Sequence, residues 1–253
     1  MINTVLFDMG GTLEDISIKK ENWVGFADYL LRVLRKHGIE LDTSAETLSE
    51  SIHQNAEEYK HWSEQSKVEL EQARIWNEYY LKDYHLGESI LAPISEELSF
   101  IYDYVRCDAK AKPYLKEMLQ ELSGMGIHLG VISNVISTSY TRHMLRQYGI
   151  LDFMECVVLS SEAGCRKPDA RIFEVAMRQI GSTAETTCYV GDMVSRDVIG
   201  SRNANLAMSI QISNPARAWR DAELIRQGAP EPDYLIQQLN EIPKIIRDYN
   251  KKN

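Results

Sequence analysis

Residues 5–13 read VLFDMGGTL: an apolar run stops at one acid, then come a methionine, two glycines and a threonine. Val5, Leu6 and Phe7 have the unbroken apolar character of a short strand covered on both faces. Gly10 and Gly11 are read as giving the chain backbone angles that other residues resist. It can then curl around a ligand at the carboxyl end of the strand, where open α/β sheets place their sites. Asp8 at that end is a candidate nucleophile or metal ligand. Taken alone, it is equally an acid that starts a turn, so the remainder of the chain has to decide.

Working outward, residues 14–108 change character: Lys, Glu, Tyr and Trp become frequent, and the apolar period becomes helical. Trp23, Phe26, Leu30 and Leu34 predict an amphipathic helix that stops near Gly38. Further helices are expected over Ala45–Tyr59, over 67–84 on the stripe Val68, Ile75 and Tyr79, and over Glu96–Val105. This segment is therefore expected to be a helical unit, 14–108, inserted into a core made of 1–13 and 109–253. It holds His37, His53, His61 and His85, yet no HxH or HExxH pair, so these histidines are assigned to packing and surface rather than to a metal.

From Pro113 onward helix and strand patterns alternate, as parallel βα units do. Strands are expected at Ile127–Ile132, Cys156–Leu159, Cys188–Val190, Leu206–Ile212 and Tyr234–Ile236, and a closing helix over Ile242–Tyr249. The fold class is thus α/β, a Rossmann-like doubly wound parallel sheet with an all-helical insertion.

Composition narrows the functions. The 253 residues are 44% hydrophobic, enough for a sizeable core. With 28 basic and 37 acidic residues the formal net charge is -9, and no dense Lys/Arg run precedes the closing Lys251 and Lys252. That argues against nucleic acid or an anionic membrane as partner. No stretch approaches the roughly 18 apolar residues of a spanning helix, and no basic segment precedes the first apolar run as in a signal peptide. Cys107, Cys156, Cys165 and Cys188 form no CxxC pair and are read as reduced thiols of a cytoplasmic protein.

Three expected strands end in polar groups: Asp8 with Thr12, Ser133 with Asn134, and Asp192 with Asp197. Lys167 opens a helix nearby. In a parallel sheet these ends share one edge and can converge. Such a set suits phosphoryl transfer. A carboxylate attacks phosphorus to form an acyl phosphate, two acids at separate strand ends hold Mg²⁺, and a lysine with hydroxyls takes up the charge on the transferred group.

At this point the chain resembles the haloacid dehalogenase superfamily of hydrolases, whose four motifs match in order. They are DMGGT at 8–12, VISN ending at Asn134, RKPD around Lys167, and GDMVSRD from Gly191 to Asp197. The resemblance implies a Rossmann-like core and a helical cap closing over the site. It implies Asp8 as nucleophile and Mg²⁺ ligand, Gly10 as a ligand through its carbonyl oxygen, and Asp192 as a further ligand supported by Asp197. Thr12 and Ser133 would hold phosphate oxygens, Asn134 would orient the site, and Lys167 would pair with Asp8 and the phosphate. The expected partner is a small phosphorylated metabolite.

One position departs from the family's phosphatase pattern. A second Asp, two residues after the nucleophile, protonates the leaving oxygen and then activates water; here that position is Gly10. A positioned acid or base contributes about 10²- to 10⁴-fold. Three alternatives therefore stay open: a phosphonate-cleaving enzyme, a dehalogenase, or a protein that binds a phosphometabolite for regulation with impaired turnover.

Overall fold

The computed structural model describes residues 1–252. Six strands make one parallel sheet: β1 (Thr4–Phe7), β4 (His128–Ser133), β5 (Cys156–Leu159), β6 (Thr187–Gly191), β7 (Met208–Ile212) and β8 (Tyr234–Ile236), in the order β5-β4-β1-β6-β7-β8. β1 pairs with β4 on one side and β6 on the other, both in parallel. The winding reverses at β1, so the crevice at its carboxyl end is the switch point where such sheets bind ligands. The covered-strand reading of Val5–Phe7 is visible in the packing. Val5 and Phe7 join one cluster with Leu119, Leu129 and Ile242, while Leu6 points into the opposite layer with Ile132, Phe173 and Tyr189.

The helical unit has its own core. α1 (Lys20–Lys36) and α2 (Ala45–Ser66) pack on the helix Ser95–Val105 through Phe26, Leu30, Ile52, Tyr59, Trp76 and Leu98. Two segments differ from the sequence reading. Residues 14–17, expected to begin the helical unit, form β2 (Glu14–Ser17), antiparallel to β3 (Asp108–Ala111). Four residues facing four others across 90 positions of chain leave no local period to detect. These two strands carry the chain out of the sheet and back.

The helix expected over 67–84 is broken. Lys67 adopts the left-handed conformation that ends α2. Val68 then bridges to Cys165, and Glu69 N donates to Gly164 O at 3.2 Å. A helix resumes at Gln72–Ile75 and widens into a π turn over Trp76–Tyr80. The wider turn lets Trp76 and Tyr80 both enter the core, their rings 5.0 Å apart edge to face, with Trp76 Nε1 donating to Ser99 Oγ at 2.9 Å. Pairing with the sheet layer overrode helix propensity here, a weak local preference of a few tenths of a kcal/mol per residue.

Two carboxylates tie the helical unit down over the strand ends. Glu96 accepts from Ser137 Oγ at 2.7 Å and Thr138 N at 2.9 Å, in the loop after β4. Glu69, wholly buried, accepts from Ser160 Oγ at 2.6 Å, from Tyr59 and from the Arg166 guanidinium. A buried carboxylate with three donors is stable where an unpaired one is costly.

Candidate active site

Asp8 follows β1, and its N–H donates to Val190 O at 2.8 Å, which carries the sheet pairing one residue past the strand. Its Oδ1 receives Lys167 Nζ at 2.6 Å. The same ammonium donates to Asp197 Oδ1 at 2.7 Å and to the Tyr189 hydroxyl at 2.7 Å. Lys167 is 2% exposed, and its three donors meet three acceptors, so a buried ammonium is fully satisfied. Asn134 clamps the lysine's backbone: Oδ1 accepts from Lys167 N at 2.9 Å and Nδ2 donates to Lys167 O at 3.0 Å. Asp197 is locked in turn by Met193 N at 2.9 Å. Burial pushes the Asp8 carboxyl above its ordinary value, opposed by the Lys167 charge and reinforced by Asp197. Ser133 lines the cavity above Asp8, at the end of β4.

Thr12 stands elsewhere. It is 0% exposed, and its Oγ1 is buried with no hydrogen-bond partner, so it offers no oxygen-binding group to the cavity in this arrangement. The turn that begins at Met9 draws it inward, because Thr12 N and Leu13 N both donate to Met9 O. Of the two glycines, only Gly11 needs its freedom. Its φ is +97°, and a Cβ there would lie 2.1 Å from Asp192 Oδ2.

Asp8, Asp192 and Asp197 form the cluster. One carboxylate oxygen from each lies within 4.8 Å of the others. Burial, then the charges of Asp8 and Asp197, raise the Asp192 carboxyl to about 6. Its Oδ2 accepts from Asn214 Nδ2 at 2.7 Å, whereas its Oδ1 is buried without a partner. Three converging carboxylates with an orphaned oxygen are what a hard divalent cation binds. Asp8, Asp192 and the Gly10 carbonyl therefore fit the Mg²⁺ assignment as a donor set. Arg217 already puts one positive charge on two of these donors, with Nη1 2.9 Å from Gly10 O and 3.5 Å from Asp192 Oδ2.

A side chain on Gly10 would have to displace the flexible end of one neighbour. A Cβ there would meet Ile16 Cδ1 at 2.8 Å, from β2. Beside it Glu14, 0% exposed, accepts from the Tyr148 hydroxyl at 2.8 Å through Oε2, and its Oε1 is buried with no partner. Burial holds the Glu14 carboxyl up at about 7; Asp8 adds to this and Tyr148 opposes it. The fold therefore retains this proton more tightly than the unfolded chain, whose glutamate titrates near 4.5. The stabilising contribution is full below that value and is lost as pH rises through 7, amounting to about 3 kcal/mol at 1.36 kcal/mol per unit. Denaturant unfolding of Glu14→Gln should thus show its stability relative to wild type rising by up to about 3 kcal/mol between pH 4 and pH 8. A difference that stays constant across that range would contradict the buried, proton-holding carboxyl.

Tyr189, Asn214, Arg217 and Asp221 were not visible as site residues in the sequence. Asp221 accepts from Val194 N at 2.6 Å and Ser195 N at 3.1 Å and so fixes the turn that carries Asp197. Tyr189 supports Lys167 from within β6, whereas Asn214, Arg217 and Asp221 share the loop after β7, a stretch with no short-range signal of its own. Arg217 lines a cavity of about 700 Å³ above Asp8, between the helical unit and the sheet. That volume suits a small metabolite.

A doubly wound sheet with a lysine-held carboxylate at its switch point and two more acids beside it is the frame of a hydrolase. The model of haloacid dehalogenase-like hydrolases matches residues 2–205, and the chain belongs to that family. It is 27% identical over 251 residues to a protein named glyceraldehyde 3-phosphate phosphatase from Methanopyrus kandleri, covering 99% of this chain and 100% of that one. A protein of the same name from Methanothermobacter thermautotrophicus is 37% identical over 109 residues, 43% of this chain and 48% of its own. Among solved structures, a 2-haloacid dehalogenase from Pseudomonas syringae superposes with a TM-score of 0.65 at 22% identity, covering 98% of this chain and 100% of that one. The HAD phosphatase from Thermococcus onnurineus gives 0.59 at 22% identity, covering 97% and 98%. Among the described residues no helix is long and apolar enough to cross a membrane.

Proposed function

We propose that this chain is a Mg²⁺-dependent phosphatase of small phosphorylated metabolites that works through an aspartyl phosphate on Asp8. The observation that carries the reading is the buried Lys167 ammonium bonded at once to Asp8 and Asp197, beside an Asp192 oxygen without a partner. The full-length likeness to a protein named as a phosphatase supports it. Asp8 Oδ1 is held by Lys167, leaving Oδ2 to attack phosphorus in line as the bond to the leaving oxygen breaks. The Ser133 hydroxyl binds a phosphoryl oxygen, and the Lys167 charge beside Asp8 offsets the negative charge of the transferred group. Water then attacks the acyl phosphate, releasing phosphate and restoring Asp8. Asp8, Asp192 and the Gly10 carbonyl would hold a divalent cation, which would supply charge that offsets the repulsion between carboxylate and phosphate.

Because no side chain stands at Gly10, departure relies on the leaving group's own acidity. Aryl and acyl phosphates should far outrun alkyl phosphates, and the phosphoenzyme should accumulate. Quench-flow with an aryl phosphate should show a burst near one equivalent per site; alkyl esters turned over equally fast with no burst would reject the reading. Gly10→Asp alone meets Ile16, so the paired variant Gly10→Asp with Ile16→Ala is the fair test of the missing acid. It should raise alkyl phosphate turnover about a hundredfold. No gain in either variant would mean that Glu14 or a cap side chain already moves that proton.

The placement of Arg217 on Gly10 O and Asp192 favours one second reading, a cation-independent attack by Asp8 on carbon in a 2-haloacid. Halide release without added metal, exceeding phosphate release from any ester, would replace the phosphatase reading with this one.

A further inference from the structure

Five arginines line the cavity above Asp8; Arg166 is bonded to Glu69 and Ser63, and Arg106 to Tyr102 O, which leaves the guanidiniums of Arg196, Arg217 and Arg220. Arg196 sits in the turn after β6, and Arg217 and Arg220 sit in the loop after β7, joined by the short turn Ala218–Arg220. β6 and β7 are neighbours in the sheet, so both loops leave the same edge side by side. Arg196 forms no hydrogen bond or ion pair with any described residue, and Arg220 stacks only on Trp219, 5.4 Å from the ring centre. Arg217 holds Gly10 O and, more loosely, Asp192. Crowding has a signature: burial and the charges of Arg196 and Arg217 lower the Arg220 guanidinium from its ordinary value. The acids that face these arginines from the cap are Glu57 and Glu64 on α2. Glu57 is already paired with Lys60 at 2.7 Å, and neither glutamate reaches an arginine.

Arg196 and Arg220 reach no carboxylate among the described residues, and Arg217 touches only Gly10 O and, loosely, Asp192, so these guanidiniums keep donors for anionic oxygens in a site of low dielectric. Arginine's planar fork suits carboxylate and phosphate oxygens alike.

We propose that Arg196, Arg217 and Arg220 form an anion subsite that receives a second acidic group of the substrate, so the preferred substrates are phosphate monoesters bearing a carboxylate or a second phosphate. This rests on the phosphatase reading above and names the substrate class for that site. The cap wall sets the size of the substrate, and the arginines set its charge.

Three matched monoesters test it: chains of equal length ending in a hydroxymethyl group, a carboxylate or a phosphate. The wild type should favour at least one acid-bearing ester over the neutral one by tenfold or more in kcat/KM, and which one it favours separates the carboxylate from the phosphate. The double variant Arg196→Gln, Arg220→Gln should cut that preference ten- to a hundredfold, the usual worth of hydrogen bonds to charged groups, while Arg196→Lys, Arg220→Lys keeps most of it. Calorimetry with the matching non-hydrolysable phosphonates reads the subsite without turnover. If no ester is cleaved, the phosphatase reading fails, and the subsite still stands or falls on this titration. Equal affinity for neutral and acidic phosphonates, or equal loss for every ester in the glutamine variant, would overturn the proposal.

Discussion

Asp8→Asn should reduce phosphate release by about 10⁴-fold or more, the scale on which removing a covalent nucleophile acts. Asparagine keeps an oxygen to accept from Lys167 at the Oδ1 position, so the 2.6 Å contact has a replacement and the fold should survive. The variant also removes a carboxylate whose charge burial disfavours, so its melting temperature should stay within a few degrees of wild type. The decisive measurement is acid-quench analysis with an aryl phosphate: the phosphoprotein and the burst both vanish while the protein remains folded. A variant retaining a tenth of the activity would place the nucleophile elsewhere.

Lys167→Met should have the largest effect on stability. Lys167 is buried between Asp8 and Asp197, and losing the ammonium leaves two buried carboxylates facing each other. Breaking a buried pair from one side costs about 3–5 kcal/mol, which for a chain of this size is roughly 10 °C in melting temperature. The Tyr189 hydroxyl loses a donor as well. The cost should shrink as pH falls and the carboxylates protonate, and Lys167→Met with Asp197→Asn should recover part of it. If Lys167→Met melts with the wild type at pH 8, the ammonium is not the hub that the geometry describes. Turnover should also collapse, because Asp8 loses the ammonium that holds its Oδ1.

These two residues were legible because their chemistry is local. Asp8 interrupts an apolar run just before two glycines, and Lys167 precedes a proline at the start of a helix, so each carries a short-range signal. The partners that make them work come from far along the chain. Tyr189 lies inside β6, where its hydroxyl looks like one more core side chain until the sheet brings it under Lys167. Glu14 reads as the first residue of a helical segment, yet a four-residue strand turns it toward Tyr148, 134 positions away.

The sequence alone determined the parallel α/β sheet, the placing of acids and a lysine at strand ends, and the absence of a second acid at position 10. Those follow from period and turn chemistry, which act over a few residues. Tertiary structure alone decided that Thr12 turns inward, that Ile16 occupies the space over Gly10, and that Arg217 reaches Gly10 O across 207 positions. No local pattern encodes such contacts, because they depend on which loops the winding of the sheet sets side by side and on which side chain fills each gap at close packing.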